Sequence, residues 1–481
     1  MKVLFVETPP SFNWKPESAY RSGGRRHTAI TVTGEMSYNY WNLSAAAILR
    51  EGGHEVHYIH AQSEEMPYKN LRREIERISP DIIVFPIEHI KAPVDFEIAK
   101  LGKSINAINV FVGPFVTALP RDMFKKCKYV DIVVLREYDY TILDISNALQ
   151  NKKSLSSVKG ILYKKGKRII RTKPRALIQD LDKLPIPAYD LIDLKKFVET
   201  VFIRLPAATA ITSRGCPFQC VFCTFPNTIY SHQFRAQSAE RAFEEARILV
   251  NDFKIKEIRY DDDTMEVNQK RVIDFCNLII KEGLDLTWQP QCRPDLMNDK
   301  LCKKMAEAGC VKILFGVESG DDRILRLMKK GMTRAIIKKG VMTARKYGIY
   351  LHNCFMVGFL WDNMETIQKT FDFAYKLNGE FTQFAIATPL PGTPYYDMVK
   401  KSGCLIADFW YRDSFHNAGV NFPNLSTKEI NKLSKEAYTR FYTRPAYITL
   451  MLRNAFRSKY HFTHFLRMVK AFYDRKRSDW I

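Results

Sequence analysis

Several features are missing from this 481-residue sequence. No run approaches the roughly 18 apolar residues that a membrane span requires. The longest pieces, such as "DIIVFPI" and "YITLML", have the size of a core strand or helix segment. The opening "MKVLFVETPP" holds one lysine and a short apolar run with no cleavage site after it, so no secretory leader is read and a cytoplasmic protein is expected. There is no GxGxxG, which removes the dinucleotide fingerprint. No RNP-like or KH-like pattern occurs, which argues against nucleic acid as a partner. The ten cysteines do not form a disulfide framework in such a chain. Seven of them (Cys127, Cys276, Cys292, Cys302, Cys310, Cys354 and Cys404) are scattered and read as small buried hydrophobes. Acidic residues are also short, leaving a net charge of +22.

With 46% hydrophobic and 26% charged residues the chain is globular rather than disordered. At roughly 100–200 residues per domain, its length allows two to four domains. Residues 1–150 alternate strand and helix: "KVLFVET", then "NLSAAAILREGGHEVHYIHA", "LRREIERISPDIIVFPI", "EIAKLGKSINAINVFVGP" and "YVDIVVLRE". This α/β alternation predicts a doubly wound parallel sheet of Rossmann-like type. Such sheets bind ligands beyond their strand C-termini, here at the loops Glu7–Pro10, Gly113–Pro114 and Arg136–Tyr140. Residues 151–200 shift to a basic hairpin and a proline-punctuated connector, read as a linker.

A second alternating series occupies residues 201–398. Its candidate strands are "ATAITS", "KEIRYD", "LTWQP", "VKILFG", "YLHNCFMVG" and "TQFAIAT". Six strands with intervening helices predict a partial (β/α)6 barrel, whose active groups sit at strand C-termini. Residues 399–481 read as a basic helical region. From Tyr438 onward, ten Lys or Arg stand against two Asp, interleaved with aromatics. Two readings stay open for this tail: a solvated basic face on a packed helix pair, or attraction of nucleic acid or an anionic membrane surface.

One cluster of cysteines remains. "RGCPFQCVFC" places Cys216, Cys220 and Cys223 directly after the first strand of the second series. A closed structural metal site takes four protein ligands, whereas three leave a position open for chemistry. Three thiolates at this spacing suit one face of a four-iron cluster, with the fourth iron free to bind a small molecule bearing an amine and a carboxylate. The alternative is a zinc site completed by His232 or a distant cysteine, but zinc ligands usually come as CxxC units, and the x3-then-x2 spacing of this trio fits that pattern poorly. Asp261–Asp263 follow the second strand and Glu318–Gly320 the fourth, which points to one composite site.

Cys216-x3-Cys220-x-Phe222-Cys223 resembles the signature of the radical S-adenosylmethionine enzymes. "YDDDTM", "CRPDLMNDKLCKKMAEAGCVKILFGVESGDDRILRLMKKGMT", "FMVGF" and "ATPLPGTPYYD" extend the likeness to the subgroup with an N-terminal cobalamin-binding domain. The resemblance implies a [4Fe-4S] cluster on Cys216, Cys220 and Cys223, S-adenosylmethionine on its open iron, and reductive cleavage to a 5′-deoxyadenosyl radical that takes hydrogen from a substrate. It further implies S-adenosylmethionine contacts from Phe222, Asp262, Arg293, Glu318 and the backbone near Gly358. Carboxylates suit the amine and ribose of that cofactor, and Arg293 suits its carboxylate. For cobalamin it implies Thr8, Gly113, Pro114 and Glu137.

Two departures from the subgroup stand out. No Asp-x-His-x-x-Gly is present, so bound cobalamin should lack a histidine lower ligand; His54 reads as a turn residue. Where the subgroup carries Gly-Glu-Gly-Glu, this chain reads "REYD", with side chains where backbone should approach a ligand. "CVFCTFPNTIYSHQFRAQS" resembles a narrower set that builds cyclitol ether head groups on hopanoids, with the archaeal calditol enzymes as relatives. That resemblance implies a membrane-lipid head group as substrate and a peripheral membrane position for the basic tail. The expected partners are a small-molecule or lipid substrate and an electron donor such as flavodoxin or ferredoxin. The rival chemistry is cobalamin-dependent methylation of an unactivated carbon. A rival of another class is a non-catalytic metal protein that binds nucleic acid. No side chain is assigned as catalytic acid or base, and His232 reads as a satisfied loop histidine.

Overall fold

The structure is a computed structural model that describes residues 1–14, 20–24, 27–31, 36–88, 91–199, 201–406, 420–422 and 425–477. Its first sheet contains β1 (Lys2–Glu7), β2 (Glu55–His60), β3 (Ile82–Pro86), β4 (Ile108–Val112), β5 (Ile132–Val134), β6 (Ile161–Lys165) and β7 (Arg168–Arg171). Their spatial order is β2-β1-β3-β4-β5-β6-β7, and β1 to β5 are parallel. A 2-1-3-4-5 order places the topological switch point between β1 and β3. All five residues of β3 are buried, as expected for a strand with helices on both faces.

The basic hairpin expected as linker is instead part of this sheet. Ile132 pairs antiparallel with Tyr163, and Leu162 with Arg171. Ile161 and Leu162 are fully buried, one on each face of the sheet, so the hairpin extends both core layers while Lys165 stays in water. The first body therefore runs past residue 150 to Arg171, and the connector begins after it.

The second sheet contains β8 (Ala207–Ala210), β9 (Glu257–Tyr260), β10 (Thr287–Cys292), β11 (Lys312–Glu318), β12 (Tyr350–Val357) and β13 (Phe381–Ile386), all parallel and in sequential order. All six strands read from the sequence are present. Sequential order with a helix between neighbours curls the sheet into a partial barrel and gathers every strand C-terminus on one edge. The helices begin where side-chain caps stand: Ser238 accepts from Arg241 N, Asn268 from Arg271 N, and Asn298 from Leu301 N. The helix Thr427–Tyr442 closes the open side along β13, with Ser434 Oγ donating to Phe384 O at 3.2 Å. The helices Pro445–Ala455 and Lys459–Arg477 complete the described chain.

The two bodies are joined by buried polar contacts. The Tyr38 hydroxyl donates to Thr209 O at 2.7 Å and accepts from Thr209 N at 2.8 Å. Trp41 stacks on Phe225 with ring centroids 5.2 Å apart, and its Nε1 donates to the Tyr230 hydroxyl at 3.0 Å. No helix among the described residues is long and apolar enough to cross a membrane.

Candidate active site

The cysteine loop leaves β8 and is held from four sides. Gly215 N donates to Asp263 Oδ2 at 2.9 Å. Gly215 has φ +86°, and a Cβ there would lie 2.0 Å from Gln233 O, so only glycine fits. Asn227 Nδ2 donates to Cys223 O at 2.6 Å and to Cys220 O at 3.3 Å. His232 braces the same loop, with Nδ1 2.8 Å from Phe218 O and Nε2 3.2 Å from Asn227 Oδ1. Arg214, two residues before Cys216, is buried and forked onto Asp139 and Glu137 of the first body.

All three thiols are free of disulfides; Cys220 is buried, and Cys216 and Cys223 are half-buried. Cys216 Sγ lies 3.3 Å from Thr264 Oγ1, and Cys220 Sγ 4.0 Å from Arg293 Nη1. Among the described residues no group of three His, Cys, Asp or Glu is gathered as ligands of a single metal ion. Three cysteines outside any disulfide, on one short loop beside a buried guanidinium, are a fitting donor set for a [4Fe-4S] cluster.

The other predicted residues lie on the same C-terminal edge, with differing duties. Asp262 is fully buried, accepting from Thr212 N at 2.7 Å, from Thr212 Oγ1 at 2.9 Å and from Ser213 N. Its carboxylate thus fixes the start of the cysteine loop instead of facing a ligand. Arg293 spends Nε and Nη2 on Asp295 at 3.0 and 2.9 Å and stacks 3.5 Å over the Phe218 ring, leaving Nη1 toward Cys220. Glu318 sits at a break in the β11 register with φ +70°, a conformation a non-glycine residue adopts at a cost. Its Oε1 accepts from Lys330 Nζ at 2.8 Å, and both side chains are buried. Gly358 N donates to Asp362 Oδ2 at 3.0 Å, and a Cβ there would meet Ile430 at 2.9 Å. Packing of the helix Thr427–Tyr442 therefore already demands that glycine. Phe222 meets Phe359 edge-on at 5.7 Å.

Two buried carboxyls on this edge carry raised pKa values. Burial pushes Asp362 up to about 6, against the opposing hydrogen bonds from Thr366, Phe359 N and Gly358 N. Burial pushes Glu266 up to about 7, opposed chiefly by Arg293 N, whose hydrogen bond it accepts. A carboxyl whose folded pKa exceeds its unfolded value holds the extra proton in the folded state. Its contribution is fully present below the unfolded pKa and is lost as pH rises through about 7. Glu266→Gln is therefore expected to flatten the fall in urea midpoint between about pH 5 and pH 7. An unchanged slope in the variant would remove Glu266 as its source.

The edge of the first sheet faces the cysteine loop. Thr8 follows β1, and its hydroxyl donates to Asp95 Oδ1 at 2.6 Å. Gly113 follows β4 with φ +114° and leads into the helix Pro114–Ala118. Glu137 turns away from any ligand: Arg214, Arg235 and Ile178 N occupy its carboxylate at 2.9–3.1 Å. Arg136, standing where the resembling proteins have glycine, holds φ +67°. The left-handed backbone is kept despite the side chain, which is directed outward to Ile229 O at 3.0 Å and to Ser231. Sequence reasoning missed Lys91. Its ammonium is 1% exposed, makes no hydrogen bond, and lies 4.0 Å from Asp95 Oδ1 beside the switch point. A buried ammonium with one carboxylate at 4.0 Å and no hydrogen bond is under-satisfied, and the amide carbonyls and phosphate of cobalamin are acceptors it could take. The residues present thus fit that group.

Comparison with known proteins agrees with both halves. Residues 210–374 match the Radical SAM superfamily and residues 26–146 the B12 binding domain. The chain is 35% identical over 403 residues to "Uncharacterized methyltransferase PH0819" of Pyrococcus horikoshii, covering 83% of this chain and 86% of that protein. It is 25% identical to the anaerobic magnesium-protoporphyrin IX monomethyl ester cyclase of Cereibacter sphaeroides, over 79% of this chain and 62% of that one. The fold is shared with the cobalamin-dependent S-adenosylmethionine radical enzyme OxsB, solved with aqua-cobalamin and S-adenosylmethionine bound. The TM-score is 0.72 at 17% identity, over 98% of this chain and 75% of that one.

Proposed function

The chain belongs to the radical SAM superfamily, in the subgroup that carries a B12 binding domain, and on that premise we propose that it methylates an unactivated carbon of an organic substrate. Its cofactors are a [4Fe-4S] cluster, S-adenosylmethionine and cobalamin; together they supply one-electron cleavage of a sulfonium and a carrier for the methyl group. The observation that carries the proposal is the meeting of two C-terminal edges. The three-thiol loop of the second sheet is bolted by Arg214 and Arg235 to the loop after β5 of the first. The Pyrococcus relative's name, a methyltransferase, supports methyl transfer over hydrogen abstraction alone. The reading as a non-catalytic nucleic-acid-binding protein falls with the family.

Within this reading the residues divide the work. Cys216, Cys220 and Cys223 hold the cluster and leave one iron open. Arg293 offers Nη1 to the cofactor's carboxylate. Glu318 takes the amine, with Lys330 holding its carboxylate in place. Phe222 covers the adenine. Asp262 acts through the loop it fixes, and Gly358 contributes only its carbonyl. Lys91, Thr8 and the Gly113–Pro114 turn receive cobalamin, while Glu137 acts as a strut between the bodies. The functional division runs from the cobalamin-binding body to Arg171, through the connector, to a radical core at 201–398 and a helical region at 399–481. Electrons come from a flavodoxin or ferredoxin.

The substrate is a small molecule or a lipid-borne head group. The second reading, cyclisation on such a head group, rests on the pattern at 220–238 and would yield 5′-deoxyadenosine without S-adenosylhomocysteine. The amine contact has its own test. Glu318→Gln keeps the shape and removes the charge, so it should weaken S-adenosylmethionine binding about tenfold, worth ~1.4 kcal/mol. Calorimetric titration of the cluster-loaded protein reads this, with an unchanged visible spectrum as control. Unaltered affinity would take Glu318 out of the cofactor site.

A further inference from the structure

The C-terminal helix pair carries apolar side chains that stay exposed among the described residues. Among the described residues, eight of the fourteen exposed large hydrophobic side chains fall between Ile448 and Tyr473. Leu452 and Phe456 repeat at four-residue spacing at the end of one helix; Phe456 is 82% exposed. Phe462, Leu466, Val469 and Tyr473 repeat at four, three and four along the next, which is one continuous stripe on a helix. The inward face of the pair is separately satisfied. Tyr447, Met451 and His464 are buried, His464 lies against Phe381, and Arg467 donates to Phe202 O and Ile203 O at 2.9 and 3.0 Å. The outer stripe is therefore surplus to folding, and clustered exposure on this scale marks an interaction surface.

The charge beside the stripe identifies the partner. Arg453, Lys459 and Lys470 are exposed next to it, and ten Lys or Arg face two Asp from Tyr438 to the last residue. A second copy of this chain would bring like charge against like. Apolar side chains flanked by basic ones, on helices too polar to span, are the pattern that lies in the headgroup layer of a bilayer. We propose that this face docks the protein on an anionic membrane surface, with Phe456, Leu466 and Val469 inserted between lipids.

The position of the pair adds a consequence. His461 meets Tyr350 edge-on, His464 lies tilted against Phe381, and Arg457 donates to Gly348 O, all at the N-terminal ends of β12 and β13 or just before them. The docking helices are thus anchored at the end of the barrel opposite the cysteine loop. Attachment is separate from catalysis and stands whichever substrate is used.

The test is sedimentation of the full-length, cluster-loaded protein with two vesicle types: phosphatidylcholine alone, and equal parts phosphatidylcholine and phosphatidylglycerol. Binding is expected only to the anionic vesicles and should weaken as salt rises. The triple variant Phe456→Ser, Leu466→Ser, Val469→Ser should bind about tenfold more weakly or worse, with cluster content and S-adenosylmethionine cleavage unchanged. Three results overturn the proposal: no anionic preference, equal binding by the triple variant, or a vesicle-free dimer that the triple variant dissolves. Because the readout needs no turnover, a failure of the catalytic reading would leave this result standing, and the reverse also holds.

Discussion

Arg214→Ala is expected to destabilise the protein by about 3–5 kcal/mol, the cost of leaving buried charge unpaired. Arg214 is 2% exposed and donates to Asp139 at 2.9 and 3.0 Å and to Glu137 at 3.1 Å. Asp139 is fully buried, with Ser44 Oγ donating to it at 2.7 Å. Burial alone would raise the Asp139 carboxyl; the Arg214 charge and hydrogen bonds outweigh burial and hold it below its ordinary value. A depressed carboxylate contributes stability above its unfolded pKa and loses it as pH falls through the folded one. Without Arg214 the sign reverses: Asp139 takes a proton, and stability falls as pH rises. Above the unfolded carboxylate pKa the wild-type Asp139 contribution is constant, so between mildly acidic and mildly alkaline pH the variant's urea midpoint should fall more steeply with pH than the wild type's. Arg214→Lys should be intermediate, because a lysine cannot fork onto two carboxylates. Removing Asp139 together with Arg214 should cost less than removing Arg214 alone, since the pair acts as a unit. The variant should also lose cluster content, because Gly215 and Cys216 follow directly in the chain.

The second large effect is chemical. Alanine at Cys216, Cys220 or Cys223 is expected to lower 5′-deoxyadenosine formation by at least about a thousandfold, since the electron source for cleavage is lost with the cluster. Stability should change little: none of the three sits in a disulfide, and two are only half-buried. Other cysteines give the control. Burial pushes the Cys276 and Cys302 thiols up to about 12, so neither is a thiolate available to iron. Alanine at either should leave iron content intact and cost only packing. If the Cys276 variant lost iron as readily as the Cys220 variant, the three-cysteine assignment would be wrong.

Much of the fold could be read from the chain because its signals are local. Six apolar segments became six parallel strands, and the cysteine trio, the aspartate run and Glu318 all lie beyond strand C-termini. Other features had no local signal. The strut between Glu137, Arg214 and Arg235 joins residues 77 and 98 apart in sequence, so no spacing rule finds it. Asp262 looked like a ligand because acidic residues at a strand end suit one; only its three protein donors show the carboxylate is occupied. The hairpin at 161–171 read as linker because its basic residues dominate the composition, yet its short apolar runs Ile161–Tyr163 and Ile169–Ile170 complete the sheet. Arg136 looked like the loss of a glycine, although the backbone kept the glycine-like conformation. Lys91 has no motif at all and is visible only as a buried cation without a hydrogen bond.

The central claim is that the cysteine loop and the facing switch-point edge form one site for radical methyl transfer. The most direct measurement is product analysis by mass spectrometry. The protein is reconstituted with iron and sulfide without oxygen, then supplied with S-adenosylmethionine, a strong reductant and hydroxocobalamin. Formation of 5′-deoxyadenosine together with S-adenosylhomocysteine, both lost in the Cys220→Ala variant, is the predicted result. Absence of both products from protein shown to hold its cluster, or equal amounts from the Cys220→Ala variant, would contradict it.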